Sequence, residues 1–189
     1  MSTIESLDEP ASSLVASAKA LRIEGLGPRT ARILTSRLGV GSILDLYLWN
    51  WESTIACLPE FTEDGAHALC QSLRNAVGSV YDYEVADALN VHGWTADMYR
   101  TVFTTCPCET AIRYPSVIQS DDIDWIQILE LEIFSRKNPV YIGTLFQLLK
   151  PWRTPMTTTN PNVEEYLLQK ELEAARKHLE DQKKKNAKK

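Results

Sequence analysis

An all-α fold follows from three observations on the sequence. Apolar residues recur three and four apart along most of the chain, as in Leu14, Ala18 and Leu21 or Ala31, Leu34 and Leu38, the spacing that lines one face of a helix. No run of alternating apolar and polar residues is long enough to suggest a strand. Helix start and stop signals punctuate the chain: Pro28, Ser42, Thr95 and Pro139 open periodic segments, and Gly39 and Gly78 close them. With 189 residues, 44% of them apolar, the chain can bury one good core and add a second layer of helices.

Taken in order, Met1 to Pro10 is polar and acidic and reads as a flexible start, after which Ser12 and Ser13 can cap a helix to about Leu21. Pro28 begins a second helix that runs to about Leu38, with Arg29, Arg32 and Arg37 turned outward. Gly39 ends it, and Ser42 caps a linking helix carrying Ile43, Leu44, Leu46, Tyr47 and Leu48, followed by Trp49 and Trp51. A short helix from Ser53 to Leu58 and a longer one from Glu63 to about Val77 complete a first unit, residues 11–78. Residues 79–150 read as further helices: Tyr83 to Leu89, Ala96 to Phe103 behind a Thr95 cap, and a break at Cys106-Pro107-Cys108. Ser120, Asp121 and Asp122 then open a helix to about Arg136, and Asn138-Pro139 caps another to Lys150. The apolar residues of the first of these, Trp125, Ile126, Leu129 and Ile133 among them, cover more than one face and predict wide burial. Residues 151–162 are Pro- and Thr-rich and read as a linker to a long charged C-terminal helix, residues 163–189, with Leu168, Leu172, Ala175 and Leu179 on one stripe and a lysine-rich tail.

The residues that carry chemistry lie between the first two helices, at Ile23-Glu24-Gly25-Leu26-Gly27-Pro28-Arg29-Thr30-Ala31. Two glycines permit a tight turn, and Pro28 starts a helix whose first amides have no partner within it, a geometry suited to an anion. The pattern apolar, any, Gly, apolar, Gly, followed by Ala31, resembles the hairpin of the helix-hairpin-helix family, whose members hold the DNA backbone without reading its sequence. An offset of 35 residues lays Ala66 on Ala31, Phe61 on Leu26, Leu69 on Leu34 and Leu73 on Leu38, an internal repeat. Two hairpins joined by a linking helix are similar to the five-helix double helix-hairpin-helix domain. That resemblance implies phosphate contact by Gly25, Gly27, Arg29 and Thr30, with Arg32 adding charge. It also implies that carbonyls at Leu21, Ile23 and Leu26 can hold a monovalent cation, K⁺ or Na⁺; no other cofactor is expected. The second copy departs from the pattern. Glu60 and Thr62 replace the glycines, and Glu63 and Asp64 fill the first helical turn, favourable to the helix dipole but repulsive to phosphate.

A formal charge of −5 gives no global attraction to nucleic acid, so any contact must be local. The start lacks a secretory signal and no apolar run reaches membrane-spanning length, so a soluble intracellular protein of nucleus or cytoplasm, away from membranes, is expected. Cys57 and Cys70 read as reduced, buried thiols, and Cys106 and Cys108, with no nearby cluster of His or Cys, make a poor zinc site. Asp121, Asp122 and Asp124 sit where a helix start accounts for acids without a metal. Trp49 and Trp51 could stack on a base, though a Trp beside a Leu-rich helix is more often core. The expectation is a non-catalytic, sequence-independent DNA-binding or adaptor protein of a repair, recombination, replication or transcription assembly. A protein partner would dock on the central or C-terminal helices. The alternative is an interaction scaffold that keeps the hairpin fold and does not touch nucleic acid. A tight turn with no ligand at all would need the same glycines.

Overall fold

The computed structural model describes residues 9–49 and 51–156, together with Glu165, Leu168, Gln169 and Leu172. Among these residues the fold is all-helical, with one isolated bridge between Tyr81 and Trp152. No helix among them is long and apolar enough to cross a membrane. The predicted flexible start 1–10 includes Glu9 and Pro10, which already belong to α1 (Glu9–Ala20), so Ser12 and Ser13 lie inside that helix and do not cap it. Residues 1–8 and most of the predicted C-terminal helix, including its basic tail, lie outside the described residues.

The repeat inferred from the 35-residue offset is built as two helical hairpins. In the first, α1 packs against α2 (Pro28–Leu38); after the short α3 (Ile43–Leu48), α4 (Glu52–Ala56) packs against α5 (Glu63–Ala76). Ala31, Leu34, Ala66 and Leu69 are all buried, so equivalent positions face one core. The two copies also clasp each other in a reciprocal way. Ser72 on α5 accepts the amide of Glu24 in the first hairpin at 2.7 Å, while Arg37, the equivalent position on α2, donates to Glu60 in the second at 3.0 Å. Gly39 closes α2 in the left-handed region (φ 68), donating its amide back to Thr35, and the Asp45 carboxylate accepts the amides of Gly41 and Ser42 to start α3. Cys57 is exposed, against the expectation of burial, because α4 ends before it; Cys70 is buried in α5.

The later helices are α6 (Asp82–Asp87), α7 (Ala96–Phe103), α8 (Cys108–Arg113), a 3-10 turn at Pro115–Val117, α9 (Trp125–Lys137) and α10 (Pro139–Leu149). They pack onto the first unit: α6 against α1, and α10 against both α3 and α6. Ser17 of α1 donates to the Ala88 carbonyl at 2.6 Å, Arg22 pairs with Glu84, and the Gly78 amide donates to Leu149 at 2.7 Å. Trp152 exchanges backbone hydrogen bonds with Val80 and Asp82 at 2.8 Å, and the buried Asp82 carboxylate accepts from the amide and hydroxyl of Thr154. The start of the expected linker is therefore fastened down by backbone pairing that its composition does not announce.

Three local expectations are corrected. The helix placed after Ser120 begins only at Trp125, because Asp124 supplies the cap, its carboxylate accepting the Ile126 amide at 3.1 Å. Asn138 is the N-cap of α10 and its carbonyl accepts the Ile142 amide at 3.1 Å, but its side chain does not cap that helix; the side-chain amide donates to the Phe134 carbonyl at 2.9 Å and closes α9. Finally α9 is not widely buried: Trp125 is 69% exposed, and Ile126, Leu129 and Ile133 share its open side while Leu131 and Ser135 face inward.

Tyr99 sits at the centre of the second layer, fully buried, with its ring 4.7 Å from Trp94 and 5.8 Å from Phe103. Its hydroxyl has no hydrogen-bond partner among the described residues, an uncompensated desolvation cost. Tyr99→Phe should therefore leave the thermal midpoint unchanged or higher, whereas Tyr99→Ala, which empties the ring site, should cost about 3–5 kcal/mol in denaturant unfolding. A loss of more than about 1 kcal/mol in the Phe variant would show that the hydroxyl is satisfied.

Candidate nucleic-acid interface

The candidate site is the turn from Leu21 to Ala31. α1 ends with Arg22 in the left-handed region (φ 56), and the chain turns again at Gly25 (φ 81), a conformation that favours glycine. Leu21, Ile23 and Leu26 point into the core, so the turn is anchored by its apolar side chains and shows its backbone outward. Pro28 then takes the first helical position of α2, as the sequence predicts.

Gly27 precedes it as the N-cap, with φ −88 and ψ −177, extended backbone open to any residue. A Cβ added there would meet nothing within 4 Å. Neither conformation nor packing within the chain therefore requires glycine at this position. Its consequence lies in what it omits. An N-cap Ser, Thr, Asp or Asn would accept one of the free amides of the first turn, and glycine leaves them open. The amides of Gly25, Gly27, Arg29 and Thr30 meet no acceptor among the described residues, and Gly25, Gly27 and Arg29 are exposed.

The second hairpin is the internal control. Thr62 occupies the position equivalent to Gly27, and its hydroxyl accepts the amide of Gly65, the counterpart of Thr30, at 3.1 Å. The backbone frames match, since Ala31 donates to Gly27 at 2.9 Å and Ala66 to Thr62 at 3.0 Å. One turn answers its own amides; the other does not. Glu63 and Asp64 on α5 add negative charge beside the closed turn.

The arginines are less uniform than their spacing implies. Arg22 is paired with Glu84 and Arg37 with Glu60, and Arg32 is half-buried and already interacts within the chain. Arg29 makes no ion pair among the described residues, though its charge reaches Glu60. The Glu60 carboxyl lies below its ordinary value, first through its own backbone amide and then through Arg37 and Arg29. The positive charge at the turn thus comes chiefly from Arg29 and the helix dipole of α2.

The remaining predicted groups lie apart from the turn. Trp51 is half-buried and donates its indole N–H to the Asp45 carbonyl at 2.8 Å, whereas Trp49 is 68% exposed, its ring 6.3 Å from that of Trp51. No group of three or more His, Cys, Asp or Glu side chains able to hold a metal occurs among the described residues. The Cys106 thiol is pushed up to about 11 by burial. Sequence reasoning did not find the Glu52 clamp on the second hairpin, where Glu52 of α4 accepts from Arg74 and lies 2.7 Å from His67 Nδ1, both on α5. Only the fold brings these three together. A comparison of the chain with protein-family models and with curated proteins finds no match to either.

Contacts from His67 first, and then Arg74, hold the Glu52 carboxyl below its ordinary value of 4.5. A depressed carboxylate adds stability that is fully present above its unfolded pKa and is lost as pH falls through the folded one. The difference in thermal midpoint between wild type and Glu52→Gln at pH 7 should accordingly shrink as the pH is lowered beyond that ordinary value. A difference that stays constant through the acid range would contradict the clamp.

Proposed function

We propose that the chain is a non-catalytic adaptor that holds the DNA sugar-phosphate backbone, without reading base sequence, through the turn Gly25 to Thr30. A repair, recombination, replication or transcription assembly is the setting. The observation that carries the reading is the uncapped N-terminus of α2 beside its self-capped twin: equivalent turns, of which only the first leaves its N-cap without a side chain and its amides open. A phosphate oxygen is the right acceptor for amides at a positive helix end, and Arg29 supplies the adjoining charge. The carbonyls of Leu21, Ile23 and Leu26 accept no hydrogen bond among the described residues, which suits a monovalent cation bridging the turn to a phosphate. A cation there would offset negative charge as the strand approaches.

A single turn on a chain of net charge −5 reaches few phosphates, so the affinity alone is weak, falls with salt and is indifferent to sequence. A second site on a protein partner would raise it by linkage. The rival reading, an interaction scaffold with no nucleic-acid contact, is favoured by the open apolar side of α9 at Trp125, Ile126, Leu129 and Ile133.

Gly27→Thr copies the closed hairpin onto the open one. Because the backbone there suits any residue and the space is empty, the variant should fold with unchanged or slightly higher stability while its hydroxyl takes an amide from the phosphate. In fluorescence anisotropy with labelled duplex, forked and single-stranded DNA at low salt, Gly27→Thr and Arg29→Glu should each weaken binding about tenfold, equally across sequences. Wild-type affinity in both folded variants would remove the turn as the contact. Partners that survive nuclease and high salt, with no DNA binding by wild type, would favour the scaffold.

A further inference from the structure

α8, α10 and residues 150–156 border an open cavity of about 410 Å³. Phe103, Ile112, Ile142 and Phe146 line it with apolar surface. Arg113, Lys150 and Arg153 stand exposed around it. Its size is that of a small-molecule site, and its lining joins an apolar floor to a polar and charged rim. We infer that this cavity binds a small amphipathic anion, with an aliphatic or aromatic body on the apolar floor and an acid group held by Arg113 and Lys150.

Three observations support the assignment. First, Gly143 lines the cavity from the interior of α10, where glycine costs helix stability relative to alanine. Its φ is not left-handed and a Cβ there would meet nothing within 4 Å, so the fold itself does not call for glycine; a side chain would take up space in the cavity. Second, the acids at the rim are already engaged. The Asp82 carboxylate accepts from Tyr83 and Thr154, and Glu109 lies 3.7 Å from Arg153. Arg113 and Lys150 make no ion pair among the described residues, so both are open to an anion. Third, Lys150 is held at φ 46, a left-handed position that closes α10 and where glycine is the usual choice. A lysine there brings an ammonium to the lining of the cavity. The Cys108 thiol beside the cavity stays protonated at neutral pH, its pKa raised first by burial and then by the nearby Asp82, so the ligand is held by contact and charge and is not attacked.

The test is calorimetric titration of the full chain with decanoate below its micellar range, with decanol as the uncharged counterpart. Wild type should bind decanoate at one saturable site and decanol at least tenfold more weakly. Gly143→Leu should abolish the binding while the thermal midpoint stays equal or rises. The surface variant Arg113→Glu with Lys150→Glu should weaken decanoate about tenfold and leave decanol unchanged. Absence of saturable binding by wild type, or wild-type affinity in folded Gly143→Leu, would overturn the assignment, as would equal decanoate affinity in the charge-reversed variant.

Discussion

A helix cannot satisfy the amides of its own first turn, and the two ends that matter in this protein deal with that constraint in opposite ways. At α5 the Thr62 hydroxyl takes the Gly65 amide; at α2 the cap is a glycine with nothing to offer. The surrounding architecture makes the contrast meaningful, because the two turns sit on matched pairs of helices whose Ala and Leu positions pack into one core. Had the first turn been buried by later helices, or filled by a carboxylate of the chain, the open amides would be a packing accident. Gly25, Gly27 and Arg29 are exposed, and the Glu60 carboxylate of the second hairpin is drawn to Arg37.

The same clasp that joins the hairpins also dilutes the positive surface. Arg37 is used to hold Glu60, and Arg22 to hold Glu84 against α6, so the stability of the repeat and the attraction of a polyanion compete for one set of guanidinium groups. An exposed pair such as Arg37 with Glu60 contributes little to stability, about 0–1 kcal/mol, whereas Arg22 reaches a buried carboxylate at Glu84. The larger effect of both pairs is on the field: what reaches solvent at the turn is chiefly Arg29 and the end of α2. In the function proposed above, a partner supplies most of the affinity.

Much of this was legible in the sequence, for local reasons. Pro28 and Gly39 bracket α2, Thr95 caps α7 by accepting the Met98 amide, and Ser42 opens α3, since each depends on residues within one turn of itself. The left-handed turn at Gly25 is legible for the same reason. What escaped notice is long-range. Apolar periodicity cannot say which stripe of α9 meets a neighbour, so Trp125 and Ile126 were assigned inward. Asn138 is a good cap by type, and only the geometry of α9 shows its side chain turned toward the preceding carbonyl. The partners of Arg22 and Arg37 lie 62 and 23 residues away, beyond any spacing rule. The cavity beside Gly143 likewise forms only when α8 and α10 come together.

The account's central claim is that backbone amides at the start of α2, which meet no acceptor among the described residues, receive phosphate oxygens. Amide-resolved NMR during titration with a short DNA duplex at low salt tests it most directly. The account predicts that the largest shifts fall on Gly25, Gly27, Arg29 and Thr30, fade as salt is raised, and leave Gly65 and its neighbours in the self-capped turn still. Shifts spread along α5 or α9 with these four amides unmoved, or no shifts at all, would contradict it.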